Sequence, residues 1–358
     1  MTRVLGRDPT RCCVKLAAWP AMDRRLWLDA LRAGDILEPA GARARYRPAS
    51  NRKTAAGYGR WLGWLAGTGR LDPDHPPAAR ITREAVAAYL QALLAVNRPI
   101  TIRCRLHELH DAALVMDPTG DWTWIRHLSR RLPDNGDAVR DKRARIVDTA
   151  TLVDLGLRLM EEPAGRVCRW RHATRFRDGL AIALLALRPL RRKNFVALRL
   201  DRHLVRRGEV WWLDIPATET KTGVPLEMPW PPILAPYLET WLARHRPCLA
   251  ARRGRWAAPL DDALWVSSHG SPMTGMALYD RIIRQTGRAL GKSVNPHLFR
   301  DSAATQMALE DPEHIRLAAA LLGHRNLTTT ERYYNMARSM EAAAHWQDVI
   351  RDLRSEIE

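Results

Sequence analysis

The sequence predicts a mainly α-helical protein with one small antiparallel β-sheet, divided into an all-helical N-terminal domain and a C-terminal α+β domain. Three observations carry this. Apolar residues recur at helical spacing from about residue 50 to 131 and again from residue 149. One window only is β-rich: Val, Trp and Ile over residues 210–215, then a turn and a return over 224–228. Between the two helical regions, residues 132–148 hold Pro133, Asp134, Asn135 and Gly136, then the charge run Arg140-Asp141-Lys142-Arg143-Ala144-Arg145. A chain of 358 residues is long enough for two separate cores.

The elements follow in order. Residues 1–38 read as an N-terminal extension, with a helix over 23–37. From about Ser50, Tyr58, Trp61, Leu62 and Leu65 share a helical face, and Gly67 and Gly69 end the run. Thr82 caps the next helix, whose face carries Val86, Tyr89, Leu90, Leu93 and Leu94. Pro99 breaks it. Another helix starts near Thr101 with Ile102, Leu106, Leu109, Ala113 and Met116 on one side, and residues 122–131 form a fourth. Residues 39–135 thus read as a helical domain and 136–148 as a basic linker, a charge run that suits a solvated connector and phosphate contact equally. The second domain, 149–358, opens at Asp148 or Thr149 with a stripe of Leu152, Leu155, Leu159 and Met160. A largely buried helix over 178–187 is stopped by Pro189. After the strands and Pro231 the chain is helical again, apart from a turn around residues 265–274.

Composition narrows the partner. Net charge is +18, from 57 Lys+Arg against 39 Asp+Glu. The excess is even: 23 basic against 14 acidic residues over 1–140 leave 34 against 25 over 141–358, a net of +9 in each part. Such a balance predicts a polyanion, most simply nucleic acid, touching both domains. The five cysteines, Cys12, Cys13, Cys104, Cys168 and Cys248, include no C-x-x-C pair and form neither a disulfide framework nor a zinc set. The longest apolar run, residues 180–187, is too short to span a bilayer. With no secretory leader in the N-terminal residues, the expected location is cytoplasmic.

The chemistry concentrates near the C-terminus. His297-Leu298-Phe299-Arg300 places His297 and Arg300 on one face of a helix start, where anions bind well. His324 follows Leu321-Leu322-Gly323, and Tyr333 comes nine residues later, behind Thr328-Thr329-Thr330-Glu331-Arg332 and before Tyr334. Singly each is ordinary: a surface pair, a capping histidine, a packing tyrosine. Together they can grip a phosphodiester and attack it with a phenol oxygen.

This string resembles the C-terminal signature of the tyrosine recombinases, the phage integrase family, in which H-x-x-R is followed by L-G-H and, nine residues on, the nucleophilic tyrosine. The resemblance extends upstream. Leu190-Arg191-Arg192-Lys193-Asn194-Phe195-Val196-Ala197-Leu198 fits the stretch carrying the family's first catalytic arginine, with Arg191 in its place and Arg188 and Arg192 as competitors. Asn194 stands where the family has glutamate, a residue expected to support the arginine. Lys221, in Thr220-Lys221-Thr222-Gly223, falls where the family has its hairpin lysine, and Asp301 falls where relatives often carry histidine. The resemblance implies a core-binding domain and a catalytic domain clamping double-stranded DNA, and a catalytic set of Arg191, Lys221, His297, Arg300, His324 and Tyr333. It implies a site-specific recombinase that forms a 3′-phosphotyrosyl intermediate in integration, excision or transposition, with no cofactor or metal. It further implies a homo-tetramer or hetero-oligomer on DNA, in which a helix over 340–357 either docks on a neighbour or packs on its own protomer. A type IB topoisomerase shares the catalytic set, and a catalytically silent DNA-binding relative is the other alternative.

Overall fold

A computed structural model of the chain describes residues 8–133, 145–163, 165, 168–255 and 258–310. It divides into two compact units, Met1–Val139 and Arg140–Glu358.

The first unit is helical: α1 (Ala21–Leu31), α2 (Pro48–Gly67), α3 (Arg83–Val96), α4 (Pro99–Met116) and α5 (Thr123–Arg131). Proline occupies the first turn of α2 and α4, where a missing N–H costs nothing. The Thr82 hydroxyl accepts from Ala85 N at 3.1 Å and starts α3. The core joins Tyr58, Trp61, Leu62 and Leu65 of α2 to Val86, Tyr89 and Leu93 of α3 and to Ile102, Leu106, Leu109, Ala113 and Met116 of α4. Leu94, placed on the α3 apolar face by spacing, is exposed. The segment before residue 39 belongs to this core, because Trp19 and Trp27 pack edge-on beside Tyr58. Asp23 of α1 accepts from the Tyr58 hydroxyl at 2.6 Å and pairs with buried Arg80. The expected helix over 23–37 is shorter than its sequence suggests. The Asp35 carboxylate captures the N–H groups of Leu37 and Glu38, each at 2.8 Å, and this turn leaves Ile36 and Leu37 in solvent.

The second unit opens with α6 (Thr149–Glu161), capped by Asp148 through Thr151 N. Against it lies α7 (Arg169–Leu187), nine residues longer at its N-terminus than the apolar run alone predicts. The two helices meet through paired glycines: a Cβ on Gly179 would stand 2.5 Å from the Gly156 carbonyl oxygen, and one on Gly156 would stand 2.7 Å from the Gly179 carbonyl. Then come α8 (Arg192–Val196) and the sheet β1 (Leu204–Arg207), β2 (Val210–Ile215) and β3 (Leu226–Pro229), antiparallel in the order β1-β2-β3. Leu213 pairs with Leu204 on one side and Met228 on the other, and Ile215 pairs with Leu226. Leu204, Leu213, Ile215 and Leu226 turn into the core, with Leu180 to Leu185 of α7 at its centre. Next come α9 (Ala235–Thr240), a π-helical turn (Trp241–His245) and α10 (Arg246–Ala250). The final described helices are α11 (Gly275–Leu290) and α12 (Pro296–Glu310), both packed on α7. Among the described residues no helix is long and apolar enough to cross a membrane.

Candidate active site

The expected first arginine sits where α7 gives way to α8. Pro189 ends helical geometry, and Arg191 takes extended dihedrals (φ −64°, ψ 136°) as the N-cap of α8. That five-residue helix cannot hold itself and is pinned from outside. Phe195 stacks on Trp265 with centroids 4.9 Å apart, the Trp265 indole donates to Phe195 O at 2.8 Å, and Leu264 N donates to Leu198 O at 2.9 Å. Of the competitors, Arg188 turns to the sheet and donates to Pro229 O at 3.1 and 3.2 Å. Arg192 lies beside Arg191, its guanidinium 5.6 Å from the Tyr279 ring centroid.

Lys221 lies between β2 and β3 on a loop bracketed from within. The buried Thr220 hydroxyl reaches Ala217 O at 3.1 Å and Val224 O at 2.8 Å, closing the loop beneath the exposed lysine. Asn194 on α8 donates to Glu219 O at 3.1 Å. In place of the family's glutamate, the Asn194 side chain ties down the lysine-bearing loop. A carboxylate at this position could not donate that bond.

His297 and Arg300 come from the first turn of α12. Asn295 caps it, its side-chain oxygen accepting from His297 N at 2.9 Å and Leu298 N at 3.2 Å. His297 is left exposed, while Arg300 is 6% exposed, with Nη1 donating to Pro189 O. The carbonyl that receives it belongs to the segment leading into Arg191, so the two arginines share one anchor.

These groups open onto a single cleft of about 600 Å³ lined by Arg191, Arg192, Lys221, Tyr279, Asn295, Pro296, His297 and Arg300. None of these lining residues is acidic. Burial pushes the Arg191 guanidinium below its ordinary range, yet an arginine stays charged at neutral pH. Three arginines and a lysine therefore face one another with no carboxylate on the wall between them, an arrangement that favours an anion of high charge density, a phosphate above all. Four of the six residues expected from sequence meet here. His324 and Tyr333 lie outside the described residues, as do most of the basic linker and the stretch 340–357. Tyr279 and Asn295 are additions to the residues expected from sequence, and Arg192, expected only as a competitor for the Arg191 role, lines the cleft beside it. Asn295-Pro296 carries a readable signal, a cap residue followed by proline at the first helical position, whereas Tyr279 looks like any half-buried residue of an amphipathic helix.

Residues 158–340, just over half of the chain, match the family model described as the phage integrase family. The chain belongs to that family. It is 43% identical over 79 residues to the tyrosine recombinase XerC of Mannheimia succiniciproducens, covering 22% of this chain and 26% of that one. It is 30% identical over 247 residues to XerC of Azotobacter vinelandii, covering 68% of this chain and 66% of that one. The chain thus spans about a quarter of the length of the first relative and 66% of the second. Among solved structures, the XerH site-specific recombinase bound to difH substrate aligns over 97% of this chain and all of that one, with TM-score 0.57 and 16% identity, a likeness of fold.

Proposed function

We propose that this chain is a DNA strand transferase, a site-specific recombinase that cuts and rejoins duplex DNA through a 3′-phosphotyrosyl link. The observation that carries this reading is the meeting of Arg191, Lys221, His297 and Arg300 in one cleft without acidic lining, in a chain of the phage integrase family. The partner is double-stranded DNA, a reading supported by the structural likeness to the Tn1549 transposon integrase in complex with circular intermediate DNA. Exchange between two duplexes calls for four protomers, and the setting is cytoplasmic.

In-line attack on a phosphodiester piles negative charge on the non-bridging oxygens. Arg191 and Arg300 meet them with charge-assisted hydrogen bonds from fixed positions, so little reorganisation is needed as the charge develops. The Tyr333 hydroxyl attacks phosphorus, and His297 accepts its proton. A phenol with pKa near 10 is a weak nucleophile at neutral pH, and surrounding cations favour its phenolate form. His324 donates one further hydrogen bond to the phosphate. The bond from phosphorus to the 5′-oxygen breaks as Lys221 delivers a proton to that oxygen. The phosphotyrosyl ester conserves the bond energy, and a second 5′-hydroxyl reverses the step on a new strand, without ATP or metal.

The test is covalent trapping on nicked suicide duplexes taken from DNA flanking the gene. The unaltered chain and Tyr334→Phe form a protein–DNA adduct, and Tyr333→Phe binds without forming one. An adduct that persists in Tyr333→Phe and vanishes in Tyr334→Phe overturns the assignment.

A further inference from the structure

Lys221 poses a physical problem. A general acid must come within hydrogen-bond reach of the oxygen it protonates. This one sits at the end of four methylenes on an exposed loop, with long rotamer freedom. Something must fix the loop itself: Thr220 closes it from within, and Glu219 is held from three sides by other segments. Asn194 on α8 donates to the Glu219 carbonyl at 3.1 Å. Arg202 pairs with one carboxylate oxygen of Glu219, and the ring of His203 lies 3.0 Å from the other.

The orientation of the His203 ring, and which nitrogen accepts, follow from its two neighbours. Its Nδ1 lies 3.1 Å from Arg199 N, a backbone N–H that can only donate. Nδ1 is therefore the acceptor, and the neutral ring carries its proton on Nε2, aimed at the Glu219 carboxylate. His203 is 3% exposed, so its orientation is set by its surroundings rather than by solvent. Arg199 in turn is pinned by Asp262 at 2.7 Å, and Leu200 N donates to Asp262 O at 2.8 Å, which ties this corner to the segment carrying Trp265. Asn194 stands three residues after Arg191 on the same short helix. One set of bonds thus links the arginine that meets the non-bridging oxygens to the loop that bears the lysine.

We infer that Glu219, held by His203 and Asn194, is the positioning residue for leaving-group protonation: it fixes the Lys221 loop relative to Arg191. This rests on the recombinase reading given above. Glu219 touches no reacting atom and acts through Lys221 alone. Misplacing a reactive group by about 1 Å costs on the order of 10²-fold in rate.

The experiment compares single-turnover cleavage by the full chain on two duplexes, one with an ordinary scissile phosphodiester and one with sulfur replacing the bridging 5′-oxygen. A thiolate departs without a proton, so the second duplex bypasses Lys221. On the ordinary duplex, Lys221→Ala, Glu219→Ala and Asn194→Ala lose roughly 10²-fold in cleavage rate. On the sulfur duplex all three return close to the unaltered chain, and Arg300→Ala does not. His203→Gln, which can accept from Arg199 N and donate to Glu219, keeps most of its activity on both duplexes, whereas His203→Phe behaves like Glu219→Ala. Where Glu219→Ala fails to melt cooperatively, Asn194→Ala carries the comparison. A defect of equal size on both duplexes, or no defect, overturns the positioning role. Absence of any adduct from the unaltered chain on either duplex strikes instead at the recombinase reading.

Discussion

Replacing Arg300 separates the cost of binding DNA from the cost of cutting it. The side chain is 6% exposed, and one arm of its guanidinium is committed to Pro189 O. Arg300→Lys keeps the charge but supplies a single ammonium, which cannot hold the Pro189 carbonyl and also present a planar fork to a phosphate. Removing one preorganised donor from a developing oxyanion costs about 10²–10³ in rate, or roughly 2.7–4 kcal/mol. Affinity responds far less. Binding is spread over a chain of net charge +18, and one lost phosphate contact lowers the salt slope by only about 0.9. Cleavage under saturating DNA and affinity by fluorescence anisotropy therefore diverge in Arg300→Ala and Arg300→Lys. A melting curve accompanies them, because the Pro189 carbonyl loses its donor, a loss of about 1–3 kcal/mol for a buried acceptor. Unchanged cleavage in a folded variant, or an affinity loss as large as the rate loss, refutes the placement of Arg300 at the phosphate.

Three further outcomes are expected. His245, in the π-helical turn, stacks on Phe176 at 4.2 Å, and burial, with His172 and Arg244 nearby, pushes its pKa down from 6.5 to about 4. Its folded form resists a proton that the unfolded chain accepts, so stability is full above about pH 6.5 and falls toward pH 4, by on the order of 3 kcal/mol at most. His245→Phe flattens that part of the stability–pH curve, and an unaltered slope removes His245 as its source. Gly179→Ala forces a methyl against the Gly156 carbonyl and destabilises the second unit by about 1–3 kcal/mol in a denaturant titration; an unchanged midpoint shows that α6 and α7 yield at no cost. DNA binding weakens steeply with added salt, by a slope of about 0.9 for each phosphate neutralised, and a flat response contradicts a basic DNA-binding surface.

Much of the fold was legible because burial and period agree. Trp61 and Leu65 of α2, and Leu106 and Leu109 of α4, recur at helical spacing and are buried. Strand β2 was legible from Val210 to Ile215, but its partner β1 was not, since Leu204-Val205-Arg206-Arg207 puts two arginines in an edge strand. The missed signal was the two-residue turn Gly208-Glu209, in which Gly208 adopts φ 58°, a value glycine tolerates. The helix within residues 21–31 was legible, but its place in the core was not, because the contacts that put it there, Trp19 against Tyr58 and Trp27, have no local period. At the site, H-x-x-R and the lysine turn were visible as motifs. The Arg300 bond to Pro189, the Asn194 bond to Glu219 and the presence of Tyr279 depend on chain segments far apart in sequence, and no spacing rule reports them.

The bond between Arg300 and the Pro189 carbonyl bridges 111 positions. Contacts of that reach form late, since a long loop must lose its freedom before the contact returns any energy. The cations of the cleft are therefore brought together only as the second unit completes its fold.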